Sequence, residues 1–428
     1  MTAIRLRLAL APTGHLTVNM ARAALVNARF AHARRQAGAT AHLTLRLDDL
    51  NRDRVRPAFA ETIAHDLEWL GVVPDETMRQ SDRVTDYQDA ITRLRDSGRL
   101  YPCFESQAEL RAKAEQRRRR GKPDLYDRAM LSLTAAQRAA AEAGGKRPYW
   151  RFRLSDKTVT WSDRVLGQRE AKLTAISDPI LVREDGQPAP LLASAIDDRD
   201  LAITDLIRPE ENVAETGSYL DLLAALGTHR LPCLASVPSV DGAERGGQKP
   251  GSRPVRDLRA DGVMPAALAA WLTGDTPDTI DWGMLRAIPY PASLLTLNRQ
   301  VLAGTPFTAV AGYLPPGATE PFWLAVRTDI DLIHDAAHWW DVVGGTIAPP
   351  DGPCQAHIVR AALDRLPQTP WDQHTWDAWL TALSEAADAA ADQLYPILTG
   401  EPAGPPMSRL LPMIGPDRVR RRLREALA

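Results

Sequence analysis

The sequence predicts an α/β fold on a doubly wound parallel sheet, interrupted by an inserted α+β module and followed by an all-helical region. Residues 4–11 alternate as a short apolar strand, Pro12-Thr13-Gly14 turns the chain, and Val18 to Arg35 read as an Ala/Arg-rich helix. "AHLTLRLDDLNRDR" follows as a second strand that ends in acids at Asp48 and Asp49. Strand, helix and strand in so short a span make a βαβ unit, and its ligand site is expected at the carboxyl edge of a parallel sheet.

The remaining elements follow in order. "PAFAETIAHDLEWLG" spaces Phe59, Ile63, Leu67 and Leu70 for one helical face and stops at Gly71. From about Tyr101 the pattern changes to a charged helix, "SQAELRAKAEQRRRRGKP", and then to the strand-like pieces "YWRFRL", "TVTWSD" and "VLGQRE". Parallel-sheet character is expected again at "DPILVREDG" and "LAITDLIRPEEN". After a Gly/Pro-rich stretch, "SVDGAERGGQKPGSRP", the chain reads as helical to its end. "AAHWWDVV", "PWDQHTWDAWLTAL" and "LLPMIGPDRVRRRLREAL" are amphipathic helices there.

Composition narrows the function classes. A chain of 428 residues exceeds one typical core and points to two to four domains. Hydrophobic content is 44%, without an apolar run of the roughly 18 residues a membrane helix needs. No secretory signal is readable, so a soluble, cytoplasmic protein is expected. Cys103, Cys233 and Cys354 stand far apart with no CxxC pair, which argues against zinc or a disulfide framework. The formal charge of -2 gives no global pull toward nucleic acid, so RNA contacts have to come from local patches, and neither DNA nor membrane is an expected partner.

The order and spacing of "LAPTGHL", "LRLDDLNRDR", "WLGV", "QSDR", "LYPCFES", "RRRRGKPDLYD", "SDPILVREDG", "IDDRDLAITDLIRPEEN", "DLRADGVMPAALAAWL" and "AHWWDVV" resemble glutamyl-tRNA synthetases. The match is closest to the compact bacterial form of this class I aminoacyl-tRNA synthetase family and spans essentially the whole chain. The resemblance implies a Rossmann-like nucleotide-binding domain whose first half is 1–100 and whose second is 176–240. It places an inserted acceptor-stem-type module at 101–175, a signature loop with stem-contact helices at 241–310, and an anticodon-binding-like helical domain at 311–428.

In that family the first turn reads roughly R-F-A-P-S-P-T-G-x-L-H-V-G-G-A-R. Laid without gaps on "RLALAPTGHLTVNMAR", Arg7 takes the place of the arginine used on the glutamate side chain, Ala9 that of its small neighbour, and the serine becomes Ala11. The resemblance assigns Thr13, Gly14, Thr17 and Asn19 to ATP. The family's histidine at a helix N-terminus bonds phosphates, and its glycines let adenosine approach the backbone. Thr17, Asn19 and Met20 stand in their places, so the phosphate chemistry is largely removed. His15 lies two positions early, in the turn, at a variable family position. Counting back from "DLRADG", the K-x-S-K-R loop falls on Arg245-Gly246-Gly247-Gln248-Lys249. Arg245, Gln248 and Lys249 there belong either to a weakened phosphate loop or to an ordinary Gly-rich surface loop.

For the amino-acid end, Asp48 stands where the family sets an acid against the substrate ammonium. Arg208 matches the R-G-E-D arginine that reads the side-chain carboxylate, and Glu210 the acid beside it. The family's Tyr and Asn are Pro190 and Ser194, and the R-G-E-D glycine is Pro209, so a pocket of different shape is expected. Arg7 and Arg208 together favour glutamate or another carboxylate-bearing small molecule, while the plainer reading of Arg208 is a sheet-edge salt bridge. Arg7, Asp48 and Arg208 are expected to converge at one cleft.

Arg118, Arg119, Arg120 and Lys122 supply local charge for tRNA phosphates or a solvated helix end, and Arg418 with Arg420 to Arg422 read as a solvated helix face. Cys103 stands alone where some relatives place a Cys-x-Cys pair and further ligands, so no zinc is expected. The implied function is activation of glutamate with ATP and magnesium, then transfer to tRNA, weakened or altered here. The alternative is an inactive or repurposed paralogue that binds tRNA or an acidic small molecule.

Overall fold

The structure is a computed structural model, and it describes residues 3–240, 250–274, 282–287, 294–347, 355–383 and 387–427. In chain order the first elements are β1 (Ile4–Leu10), α1 (Val18–Gln36), β2 (Ala41–Leu47), α2 (Pro57–Trp69), β3 (Glu76–Arg79) and α3 (Val84–Asp96). β4 (Leu100–Cys103), α4 (Gln107–Arg119), α5 (Ala135–Ala143), β5 (Tyr149–Phe152), β6 (Thr158–Asp163) and β7 (Gly167–Lys172) come next. β8 (Ile180–Val182), α6 (Pro190–Asp200), β9 (Asp205–Pro209), α7 (Thr216–Ala225) and β10 (Cys233–Val237) complete the α/β part. The chain divides into two compact units, Met1–Arg256 with Leu272–Pro289 and Asp257–Trp271 with Tyr290–Ala428.

In the first unit β1 pairs in parallel with β2, and β2 with β3. Leu6, Leu8, Leu10, Leu43, Leu45 and Leu47 are buried, each side chain contributing about 2 kcal/mol. Alternation puts Arg7 and Ala9 on the opposite face, in register with Thr44 and Arg46 of β2. The Thr204 N–H donates to the Arg5 carbonyl at 3.0 Å, which brings β9 alongside β1, and β9 pairs in parallel with β10. The carboxyl ends of β1, β2 and β9 thus lie along one edge.

β8 corrects the expectation from its apolar run: it pairs antiparallel with β5, which pairs antiparallel with β4. The β6–β7 hairpin also reaches the parallel strands, for β6 meets β10 at Asp163 and Leu234. Asp163 secures that join, accepting from the Ser236 hydroxyl at 2.7 Å and from the Val165 and Leu166 N–H groups.

From Val255 the described residues are helical: α8 (Val255–Ala260), α9 (Pro265–Thr273), α10 (Trp282–Ala287), α11 (Leu294–Gly304), α12 (Phe307–Val310) and α13 (Glu320–Val326). α14 (Asp335–Gly344), α15 (Ala356–Asp364), α16 (Thr375–Ala382), α17 (Ala387–Thr399), α18 (Met407–Ile414) and α19 (Pro416–Glu425) finish the chain. The second unit has its own core, with Trp323, Phe322, Leu394, Leu411 and Leu423 fully buried. Gly415, at φ +77°, makes the turn between α18 and α19 that a side chain would strain. Arg422 is not on a solvated face: it is buried and donates to the carbonyls of Leu398 and Val342, both at 2.6 Å.

Candidate amino-acid and nucleotide site

The carboxyl edge of β1, β2 and β9 carries a buried network of charge. Arg7 donates from Nε and Nη2 to the two oxygens of Asp198, at 2.9 and 3.1 Å. Asp198 also accepts from the Tyr219 hydroxyl at 2.8 Å. Burial opposes the charged form of this carboxyl, but Arg7 and Arg46 outweigh it and hold it below the usual range. The Arg208 guanidinium lies 5.5 Å from the centre of the Tyr219 ring and donates to the Thr216 hydroxyl. Arg7 and Arg208 therefore share Asp198 and Tyr219 as neighbours.

Arg208 has no carboxylate partner among the described residues, although only 7% of it is exposed. Burial, and then the neighbouring Arg7 charge, lower its affinity for the proton. A buried cation in that state is stabilised by any carboxylate that enters. Among the described residues Arg208 forms no sheet-edge salt bridge.

Asp48 joins the network through Arg46, which donates to both its oxygens at 2.7 and 3.0 Å and to the Ser194 hydroxyl at 2.6 Å. Arg46 also lies 3.5 Å from both Asp197 and Asp198. These acids outweigh the effect of burial and raise its pKa. Ala9, half-buried and in register with Arg46, keeps that stretch of the face small. Glu210 is exposed at the start of the 3-10 turn Glu210–Glu215.

At the nucleotide end, Thr13 and Gly14 form the half-buried turn before α1. Thr17 is the N-cap of α1, its hydroxyl accepting from the Met20 N–H at 3.4 Å. The Val18 N–H donates to the Arg253 carbonyl at 3.0 Å, so two donors of the helix start are engaged within the chain. The Asn19 side chain accepts from the Val240 N–H at 2.7 Å, and a Cβ at Gly251 would meet that amide at 2.3 Å. Space that a glycine would leave open is filled. His15 stacks edge-on against Phe59 at 4.9 Å. Arg245, Gln248 and Lys249 lie outside the described residues, as does Cys354.

Residues 3–241 match the catalytic domain of class I tRNA synthetases for E and Q. Glutamate--tRNA ligase 2 of Acidiphilium cryptum is 46% identical over 446 residues, covering 99% of both chains. The protein of the same name from Granulibacter bethesdensis is 44% identical over 443 residues, covering 98% of both. The chain belongs to the glutamyl-tRNA synthetase family. A crystal structure of a glutamate tRNA ligase from Elizabethkingia meningosepticum in complex with its amino acid shares the fold, with TM-score 0.79 at 21% identity over 100% of this chain and 99% of that one.

Within this glutamyl-tRNA synthetase-like frame, sequence reasoning missed Arg46, Asp198, Thr216 and Tyr219. The signal was an arginine inside the apolar strand "LTLRL" and an acid pair inside the helix "LLASAIDD". In the inserted part, Cys103 is buried and lies 3.6 Å from the Tyr126 hydroxyl, which donates to Glu105. Glu105 also binds Lys113, and Lys113 reaches Asp127 at 3.3 Å. Burial pushes the Cys103 thiol up to about 11. Among the described residues no group of three His, Cys, Asp or Glu is placed to hold a metal. Arg118 and Arg119 are exposed at the end of α4 and pair with Glu115, while Arg120 and Lys122 are exposed beyond it.

Proposed function

We propose that this chain is a glutamate–tRNA ligase whose nucleotide end is weakened. The observation that carries the acidic substrate is Arg208, which among the described residues has no carboxylate partner, beside an Arg7 whose Nη1 makes no hydrogen bond among those residues. Glutamate enters with its side-chain carboxylate on Arg208 and Arg7 and its ammonium toward Asp48. Ser194 and Glu210 line the same pocket. The α-carboxylate attacks the α-phosphorus of ATP, pyrophosphate leaves, and a terminal tRNA hydroxyl then takes the glutamyl group and releases AMP. No side chain serves as nucleophile, so positioning and charge neutralisation carry the rate.

ATP, arriving with its magnesium, is held by Thr13, Gly14, Thr17 and Asn19 with Arg245, Gln248 and Lys249. Binding is weak because the Thr17 hydroxyl is engaged as a cap and the Asn19 amide fills space beside Gly251. The tRNA partner lies along Arg118, Arg119, Arg120 and Lys122, in the five-part division that the sequence suggests. The protein works in the cytoplasm without zinc, DNA or membrane. Whole-length likeness to ligases at 44 and 46% identity supports this reading over an inactive paralogue. Charging of tRNA with labelled glutamate by the full chain tests it: transfer of glutamate supports the proposal, and transfer of another amino acid, or of none, overturns it.

A further inference from the structure

The carboxylate readers are themselves held by a group that no substrate needs to touch. Asp198 sits in α6, 3% exposed, and each of its oxygens is spoken for: Oδ1 by Arg7 Nε and, at 3.5 Å, Arg46 Nη1, and Oδ2 by Arg7 Nη2 and the Tyr219 hydroxyl. A fork-on-fork pair of this kind fixes the plane of the guanidinium as well as its place. It turns two of the three Arg7 nitrogens inward and leaves Nη1 without a hydrogen bond among the described residues.

The same carboxylate reaches Arg208 indirectly. It holds the hydroxyl of Tyr219, and the Arg208 guanidinium lies over the face of that ring. Tyr219 and Asp198 also border a cavity of about 370 Å³ lined further by Arg5, Ile203, Leu223 and Thr228. Packing is absent on that side, so the hydroxyl–carboxylate bond is what holds the ring and the carboxylate together there.

We propose that Asp198 is a positioning residue that sets both carboxylate-reading guanidiniums, Arg7 directly and Arg208 through Tyr219. An asparagine in its place offers one acceptor oxygen where four donors converge, and turns an N–H₂ toward donors. Both arginines then lose their attitude. The proposal rests on the reading of Arg7 and Arg208 as the substrate-carboxylate site, and its test separates the two claims.

Asp198→Asn and Tyr219→Phe are made in the full chain and compared with the unmodified protein in three ways. The first is the KM for glutamate against the KM for ATP in pyrophosphate exchange. The second is the rate at which phenylglyoxal labels Arg7 and Arg208, read by mass spectrometry. The third is the melting temperature. Asp198→Asn is expected to raise the glutamate KM by about tenfold or more, the worth of a charge-assisted hydrogen bond, while the ATP KM stays within about twofold. Labelling of both arginines accelerates. Tyr219→Phe removes one oxygen atom, accelerates labelling of Arg208 more than of Arg7, and raises the glutamate KM less. The double variant is no worse than Asp198→Asn alone, because Tyr219 acts through Asp198.

Equal shifts in both KM values, or unchanged labelling in variants that melt like the unmodified protein, overturn the proposal. Should Asp198→Asn fail to fold, Tyr219→Phe decides, and unchanged Arg208 labelling there counts against it. Faster labelling in a protein that binds no glutamate upholds Asp198 as the orienting group and overturns the functional reading instead.

Discussion

At the residue scale, the site is a set of guanidiniums that differ in what they have left to give. Among the described residues, Arg46 is saturated by Asp48, Ser194 and the Asp197–Asp198 pair, Arg7 is two-thirds committed, and Arg208 donates to a neutral hydroxyl alone. Arg208→Gln is therefore expected to raise the glutamate KM by roughly a hundredfold, about 3 kcal/mol, with little change in melting temperature. A shift below fivefold in steady-state exchange would falsify its role as the main reader. Chemical reactivity sets a second expectation at this scale. Cys103 is buried with its thiol pushed up to about 11, whereas Cys233 is exposed. Iodoacetamide at neutral pH should label Cys233 well before Cys103. Purified protein should also carry no stoichiometric zinc by elemental analysis, since Lys113 sits as the cation between Glu105 and Asp127. One zinc per chain would overturn that.

At the element scale, β1, α1 and β2 were legible because alternation and helical spacing are local properties, and the turn at Pro12–Gly14 is set by its own residues. The direction of β8 was not: a short apolar run says that a strand is buried, not which way its partner runs. The site divides in the same way. Arg7 and Arg208 stood out through the resemblance, but Asp198 and Tyr219 meet them only because folding carries α6 and α7 beside β1 and β9.

The join of β6 to β10 has a pH signature. Burial works against the charged form of Asp163, but the bonds from Ser236, Leu166 and Val165 outweigh it and hold the carboxyl below its usual range. A folded pKa below the unfolded one gives stability that is complete above the unfolded value and lost as pH falls through the folded one. Urea unfolding should show the native protein losing stability more steeply than Asp163→Asn below about pH 4. Parallel curves would mean the carboxylate contributes nothing there. For α4, Arg120→Ala and Lys122→Ala should each reduce the slope of log affinity for tRNA against log salt by about 1. An unchanged slope would leave the end of α4 as a solvated surface.

At the scale of the whole molecule, the proposed function joins an acidic-ligand site at the carboxyl edge of the sheet to a start of α1 whose donors are engaged within the chain. Thr17 caps, Asn19 fills, and Met20 follows, at the positions the resemblance gives to a histidine and two glycines. Charge and space are both affected, so repairing one is not expected to restore nucleotide binding. The decisive measurement is glutamate-dependent ATP–pyrophosphate exchange across a range of ATP concentrations. It compares the unmodified protein, a charge-repaired variant with Thr17→His and Gln248→Lys, and that variant with Asn19→Gly and Met20→Gly added. The expected result is glutamate-dependent exchange that needs high ATP in the first two and becomes efficient only in the third. Robust exchange at low ATP by the unmodified protein, or exchange driven by a different amino acid, would contradict it.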